Sequence, residues 1–162
     1  MKKPKVSPVE AVKISYLRLA EESKHLKEEV ADLGRIISGV EASLRRLGLN
    51  ISAWHRIAGG YDEASGFNWS RDIGYTRVGN LWHIALREFE HEPGLPPDQT
   101  TYKFGEAPPW MCLEAIGKIP ELLEELIQRT RDMRAQIGAK KETLKELATV
   151  LEELAEETAT RG

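Results

Sequence analysis

Two long segments near the ends of this chain carry apolar residues spaced alternately by three and four positions. The first runs from Val9 to Leu47 and the second from Ile119 to Leu154. An unbroken repeat of this kind over five heptads is typical of α-helices that pack as a left-handed coiled coil. The positions, which are apolar except for Ser23, Thr130 and Lys140, are Val9, Val12, Tyr16, Leu19, Ser23, Leu26, Val30, Leu33, Ile37, Val40, Leu44 and Leu47, then Ile119, Leu123, Leu126, Thr130, Met133, Ile137, Lys140, Leu144, Leu147, Leu151 and Leu154.

The residues around these segments indicate where each helical arm begins and ends. Ser7 precedes Pro8, and a hydroxyl followed by proline is a typical helix start. Gly48 and Asn50 adopt the left-handed conformation readily, so the first arm should end there. Pro120 stands at the start of the second arm, where a missing N–H costs nothing. Each arm is therefore about 38 residues long, or roughly 57 Å.

Arms of equal length that flank a different kind of segment predict an antiparallel helical hairpin. In that arrangement Leu47 lies near Leu123, and Val9 lies near Leu154. Because such a hairpin buries one seam and further apolar positions widen the stripe, we expect copies of the chain to associate, most simply as a two-fold dimer. The residues expected to make this contact are Leu19, Leu26, Leu33, Ile37, Leu126, Met133, Leu144 and Leu151.

Ten of the eleven aromatic residues, including all four tryptophans, fall between Trp54 and Trp110. Large aromatic side chains bury much area per residue and also anchor binding surfaces, so this segment should be a compact module. Trp82 and Trp110 stand in apolar sequence, and we expect them in the core.

The clearest element of the module is a β-hairpin. Residues 71–78 and 81–90 are rich in strand formers, and Gly79-Asn80 between them suits a two-residue turn. Pairing outward from that turn places Tyr75 opposite Ile84 and Asp72 opposite Arg87. The same register puts Arg77 opposite Trp82, Ile73 opposite Leu86 and Arg71 opposite Glu88, so that opposite charges face each other twice.

The predicted fold is α+β and mainly α: two long antiparallel heptad helices, a coiled-coil hairpin, flank a small antiparallel sheet of three to four strands. Further strands are expected at 53–58 and 101–104, with an exposed loop at 91–100 and a short helix through Ile116. The expected organisation is a flexible N-terminus at 1–7, a first arm at 8–48, the aromatic β module at 49–118, a second arm at 119–158 and a tail at 159–162.

Part of the module should bind a protein partner. Trp54 and Trp69 have polar neighbours, and exposed aromatics and loops on rigid scaffolds supply much of the energy of protein interfaces. The residues expected to bind the partner are Trp54, His55, Tyr61, Phe67 and Trp69, together with the loop at 93–100.

No spacing in the sequence is typical of a catalytic, metal or cofactor site. His55, His83 and His91 lack the short paired spacing of zinc ligands, and Cys112 stands among apolar residues, as structural thiols do. We therefore expect neither metal nor cofactor. The best set for acid–base chemistry is Asp62, Glu63, Arg71, Asp72, His83 and Arg87. A small enzyme or ligand-binding domain, with a pocket between the sheet and the helix tops, is the alternative to an interaction protein.

The charges argue against nucleic acid as the main partner. The net charge is −3, and the basic patches, Lys2 to Lys5 and Arg45-Arg46, are short. No apolar run is long enough to span a membrane, and the N-terminal sequence does not resemble a secretory signal. With a single cysteine, Cys112, these features predict a cytoplasmic protein without disulfides.

Heptad arms of equal length joined by β-hairpins resemble the layout of prefoldin subunits, which assemble as hexamers and hold unfolded chains at their coiled-coil tips. The resemblance is one of layout and involves no shared residue motif. We expect a non-enzymatic interaction or scaffold protein that oligomerises through its arms and presents the β module to a protein. A prefoldin-like holdase and a nucleic-acid accessory factor are further alternatives.

Overall fold

The structure is a computed structural model that describes residues 6–162. Of the expected flexible N-terminus at 1–7, and of the basic patch at Lys2 to Lys5, residues 1–5 lie outside the described part. Within the described residues the fold is α+β, with elements in the order α1 (Pro8–Arg46), β1 (Ala53–Tyr61), β2 (Asn68–Val78), β3 (Leu81–His91), β4 (Asp98–Lys103), a 3-10 turn (Phe104–Glu106), α2 (Pro109–Ile116) and α3 (Ile119–Thr160).

The four strands form one antiparallel sheet in the order β1-β2-β3-β4. The hairpin of β2 and β3 has the predicted register, because Tyr75 pairs with Ile84 and Asp72 pairs with Arg87. Its turn is confirmed as well: Gly79 has a φ of 64°, a conformation that glycine adopts without strain. Strands β1 and β4 lie close to the predicted segments, but both extend further than expected, and β4 begins inside the predicted loop.

A β-bulge at Ile57 changes which side chains of β1 point toward the helices. Arg56 pairs with Asp72 and Ala58 pairs with Arg71, so two residues of β1 occupy one step of β2. His55, before the bulge, points toward the helices, whereas Tyr61, after it, points away from them. Sequence alternation alone gives the opposite side for Tyr61.

Both long helices start as the sequence predicts. The hydroxyl of Ser7 accepts a hydrogen bond from the Glu10 N–H at 3.2 Å, which caps α1. After α1 the backbone turns through Gly48 and Asn50, both with positive φ. A third, short helix, α2, precedes α3. It ends at Ile116 with Gly117 as its C-cap, and α3 begins at Ile119, just before Pro120. No helix among residues 6–162 is long and apolar enough to cross a membrane.

The core lies between one face of the sheet and the parts of the helices nearest to it, which are residues 33–46 of α1, all of α2 and residues 119–126 of α3, and which we call the helix bases. The buried apolar cluster contains, from the sheet and the 3-10 turn, Ala53, Ile73, Tyr75, Ile84, Leu86 and Phe104, and from the helices Ile37, Leu44, Met111, Cys112, Ala115, Leu122 and Leu126. Trp82 packs against this cluster and stacks on Tyr75, with ring centroids 5.4 Å apart, as expected for a core tryptophan.

Side chains of α1 complete the sheet where β4 stops. Strand β4 pairs with β3 only from Ala85 onward, which leaves the first residues of β3 without a strand on that side. There the Ile84 N–H donates to Glu41 Oε1 at 2.9 Å, and Arg45 Nη1 donates to the Trp82 carbonyl at 2.7 Å. The buried Glu41 carboxylate thus replaces a strand partner and ties α1 to the sheet.

The two long arms do not pair with each other along their lengths. Helix α1 packs on β3 and the 3-10 turn, whereas α3 packs on β1 and β2. The arms meet near their bases, where Leu44 lies beside Leu126, and residues 50–52 lie beside residues 129–136. The first of these contacts agrees with the antiparallel prediction, but α1 and α3 do not pack on each other further along their lengths.

The distal arms therefore lack the intrachain contacts that the sequence predicts. Val9 is 66% exposed and Leu154 is 51% exposed, although the expected hairpin buries each against the other. The physical reason is that the aromatic sheet needs cover from both helix bases. Each base is held over different strands, and this geometry separates the arms beyond Leu44 and Leu126.

Candidate functional site

The face of the sheet that points away from the helices carries a network of charged and aromatic side chains. Antiparallel pairing places alternate residues on opposite faces, and this outer face bears the neighbours of the core residues. Its main side chains are Trp54, Arg56, Ser70, Asp72, Ala85, Arg87, Phe89, Thr101 and Lys103. The sheet holds this face rigid because its opposite face is packed against the helix bases.

A tryptophan and a glycine form the base of the network. Trp54 pairs with Gly74 across β1 and β2, and its indole ring lies directly on the Gly74 backbone. A Cβ at Gly74 would clash with that ring, so only glycine allows this close approach. Trp54 is therefore fixed flat against the outer face.

Two arginines share one buried carboxylate beside this tryptophan. Asp72 is only 4% exposed, and its Oδ2 accepts from Arg87 Nη2 at 2.9 Å and from Arg87 Nε at 3.1 Å. Its Oδ1 accepts from Arg56 Nε at 3.2 Å. A buried carboxylate requires such partners, and hydrogen bonds between charged groups are stronger than neutral ones.

The Arg87 guanidinium is held on a second side by the indole. It lies 4.1 Å from the centre of the Trp54 ring, within the range of a cation–π interaction. Asp72 and Trp54 together fix the position of Arg87. The hairpin register predicted the Asp72–Arg87 pair, but Arg56 and Gly74 could not be found from sequence, because their roles depend on the pairing of β1.

The five residues predicted to bind a partner do not form one surface. Trp54 and Tyr61 lie on the outer face, and Phe67 is half-buried in the turn before β2. His55 and Trp69 point to the helix side, where His55 Nδ1 lies 3.7 Å from Glu125 Oε1 of α3. The predicted loop at 93–100 is exposed, and its last residues, from Asp98, belong to β4.

Trp69 belongs to a second cluster, which fastens α2 to the sheet. The Arg71 guanidinium lies 4.6 Å from the centre of the Trp69 ring and 5.2 Å from that of Trp110. Arg71 also donates to both oxygens of Glu114, at 2.7 and 3.0 Å. The prediction that Trp110 lies in the core is wrong, because this residue is 47% exposed. Its ring instead contacts the Arg71 guanidinium at the surface.

The eight residues predicted to make the oligomer contact fall into two groups. Ile37 and Leu126 are buried in the core of the chain itself, and Leu33 packs against it. The other five are exposed and are available to a second copy: Leu19, Leu26, Met133, Leu144 and Leu151. The heptad residues near the sheet thus pack in the core of the chain, and those further along the arms are exposed.

Two further titratable groups, Cys112 and His83, make contacts within the chain. Cys112 is buried, its thiol donates to the Phe104 carbonyl at 3.3 Å, and burial raises its pKa. His83 Nδ1 lies 3.2 Å from Glu41 Oε2, at the edge of the sheet. In the part of the chain from residue 6 onward, no three His, Cys, Asp or Glu side chains are placed to hold a metal ion.

The set considered for acid–base chemistry is dispersed over the module. Asp72 and Arg87 pair on the outer face, whereas Arg71 binds Glu114 on the helix side. Asp62 lies in the turn after β1, where hydrogen bonds from the Ser65 hydroxyl and the Ala64 N–H lower its pKa. These groups do not converge on one cleft.

A groove between the helix bases is the feature nearest to the pocket of the alternative hypothesis. It encloses about 550 Å³ beside Leu44, Leu47, Leu49, Leu123, Leu126, Ile127, Thr130, Arg131 and Arg134. Ligand sites usually combine apolar walls with a few convergent polar groups. This groove is almost wholly apolar and is built mainly from heptad residues, as expected of a helix-packing surface.

Comparison of the chain with protein-family models, with curated proteins and with solved structures found no match. The geometry of the outer face and of the arms therefore carries the functional proposal.

Proposed function

We propose that this chain is a non-enzymatic interaction protein that associates with further copies of itself through its arms and presents the β module to a protein partner. The observation that carries the proposal is the exposure of the heptad residues beyond the helix bases. Leu19 is 67% exposed and Leu144 is 65% exposed, and neighbouring heptad positions on both arms are similar.

The rows of exposed heptad residues on both arms are unfavourable in water. A fully buried Leu, Ile or Val side chain contributes roughly 1.5–3 kcal/mol relative to an exposed one, and each arm offers several of them. Soluble proteins seldom expose large contiguous apolar surfaces unless another molecule covers them. Because the arms of one chain diverge, a second copy is the simplest source of cover, and coiled-coil pairing between chains fits the unbroken heptads.

The module is well placed to bind a partner in such an assembly. The sheet is fixed to both helix bases through its inner face, which leaves Arg56 exposed and Trp54 and Arg87 partly exposed on the outer face. Tryptophan and arginine are the residue types most enriched among interface hot spots. Aromatic and basic side chains on a rigid scaffold therefore support a role in recognition.

Charged substitutions in the heptad series test the proposal. We expect the wild-type protein to be a dimer or higher oligomer by light scattering, and Leu26→Glu and Leu144→Glu to be monomers, because each places a carboxylate in an apolar seam. Glu21→Lys is the matched control, since it changes charge on the opposite face of α1 and should leave the mass unchanged. A wild-type monomer at micromolar concentration would refute the self-association.

The kind of partner separates an adaptor from a holdase. An adaptor should retain one defined protein from a cell extract, whereas a chaperone should retain many unfolded chains. The intrachain hairpin on which the likeness to prefoldin depends is not formed in this structure, and this favours the adaptor.

A further inference from the structure

Charge is unevenly divided between the two faces of the sheet. The outer face bears Arg56, Arg87 and Lys103 against a single carboxylate, Asp72. The strands' other acidic residues, Glu88, Glu90 and Asp98, occupy positions of the opposite alternation. The chain as a whole has a net charge of −3, so the outer face differs in sign from the rest of the molecule.

The two arginines keep hydrogen-bonding capacity after they bind Asp72. Arg87 uses Nε and Nη2, and Arg56 uses Nε alone, so that Nη1 of Arg87 and both Nη atoms of Arg56 make no hydrogen bond within residues 6–162. The two guanidinium groups meet at one carboxylate and carry one positive charge more than it neutralises. A further anion can therefore contact both arginines at the same place.

This arrangement is pre-organised for binding. The Arg87 side chain is 28% exposed and is held by Asp72 and Trp54, so it loses little conformational freedom when it takes a ligand. Thr101 pairs with Arg87 on the next strand and adds a hydroxyl, and Lys103 follows it on β4. Lys103 Nζ lies 4.0 Å from Glu106 Oε1, a long ion pair between exposed groups that leaves the lysine accessible.

We propose that the outer face binds an acidic peptide segment of the protein partner, with a carboxylate of that segment at Arg56 and Arg87 and a further one near Lys103. The inference depends on the proposed function, because it names the chemistry of the partner that the module receives. Arginine suits this role, since its planar group forms paired hydrogen bonds with carboxylates.

A peptide fits this face better than a single-stranded nucleic acid. Nucleic-acid surfaces of this kind stack bases on the open faces of aromatic rings. The Trp54 ring already contacts the Gly74 backbone and the Arg87 guanidinium. The ring therefore supports Arg87, and this use leaves it less available as a platform for a base.

Fluorescence anisotropy with defined probes tests the proposal. The probes are a labelled peptide of alternating glutamate and serine, the same peptide with glutamine for glutamate, and an oligothymidylate of equal charge. We expect the full-length protein to bind the glutamate peptide, more weakly as salt is raised, and to bind neither of the other probes comparably. Tighter binding of the oligothymidylate, or equal binding of the glutamine peptide, would overturn the proposal.

Paired variants locate the binding face. Arg56→Gln leaves the Arg87–Asp72 contact intact and should weaken binding of the glutamate peptide about tenfold, as expected for one interface hot spot. Arg87→Gln should weaken it further. Arg77→Gln is the control, because Arg77 is exposed on the same sheet but belongs to the opposite alternation. If all three variants bound the peptide like the wild type, the assignment would be wrong.

The oligomeric mass of the same variants separates this proposal from the previous one. We expect Arg56→Gln to keep the wild-type mass, so that loss of peptide binding reports on the outer face alone. A change in mass would instead make this face a contact between copies and would contradict the acidic partner. A monomeric wild type that still bound the peptide would refute the self-association and leave the acidic-peptide site standing.

Discussion

At the residue scale, the outer face depends on the absence of a side chain at Gly74. Trp54 lies where a Cβ at this position would be, and Arg87 in turn lies on Trp54. We predict that Gly74→Ala lowers the free energy of unfolding by about 1–3 kcal/mol, because the ring must move and the arginine loses its support.

Gly34→Ala is the matched control for this prediction. A Cβ at Gly34 meets nothing within 4 Å, and the residue lies within α1. Alanine is the better helix former, so this change should stabilise the protein by about 0.5–1 kcal/mol. Chemical denaturation measures both changes, and equal effects of the two substitutions would show that Trp54 does not occupy the position described.

Also at this scale, the single thiol should be inert in the folded protein. Cys112 is 2% exposed, and burial raises its pKa, so the reactive thiolate is scarce at pH 8. We predict that Ellman's reagent modifies Cys112 far more slowly in the native protein than after denaturation. Modification of the native protein at the rate of a free thiol would contradict the packing of α2 on the core.

At the scale of elements, Glu41 joins α1 to the sheet. Its carboxylate accepts the Ile84 N–H and lies 3.2 Å from His83 Nδ1. Glu41→Ala should lower the free energy of unfolding by about 1–3 kcal/mol, because a buried N–H loses its acceptor. Glu41→Gln keeps an oxygen for Ile84 and should cost less. Glu21→Ala, on the exposed face of the same helix, should change stability by less than about 0.5 kcal/mol.

The elements themselves were largely predictable from the sequence, and their packing was not. Local patterns define the capped start at Ser7 and the register around Gly79-Asn80, because both depend on neighbouring residues. The bulge at Ile57 and the contact of Glu41 with Ile84 depend on strands and helices distant in sequence. For the same reason the candidate site was found in part: the Asp72–Arg87 pair follows from one hairpin, whereas Arg56 requires a third strand.

At the scale of the whole molecule, the long helices have two kinds of packing surface. The sheet needs cover from the bases of both helices, and the heptad residues need a partner helix along the arms. The bases of α1 and α3 cover different strands of the sheet, so beyond Leu44 and Leu126 the arms cannot satisfy their heptads within one chain. The second copy that we propose would cover the heptad residues that one chain leaves exposed. The heptad pattern predicts that each helix packs on another helix as a coiled coil. It does not distinguish a helix of the same chain from a helix of a second copy.

Hydrogen exchange of the distal arms should reflect this association. If a second copy covers the arms, the amides of 10–30 and 137–158 should exchange slowly in the wild type, because opening requires the oligomer to separate. In Leu144→Glu the same amides should exchange much faster, while those of the β2–β3 hairpin remain protected. Equally fast exchange of the arms in both proteins would indicate that the arms are uncovered.

The mass of the wild-type protein in solution decides whether the arms associate. Sedimentation equilibrium at micromolar concentration should give twice the 18.3 kDa of one chain, or a higher multiple. This result is expected because the exposed heptads of α1 and α3 need cover that one chain does not supply. A mass of a single chain across the micromolar range would show that the arms do not associate.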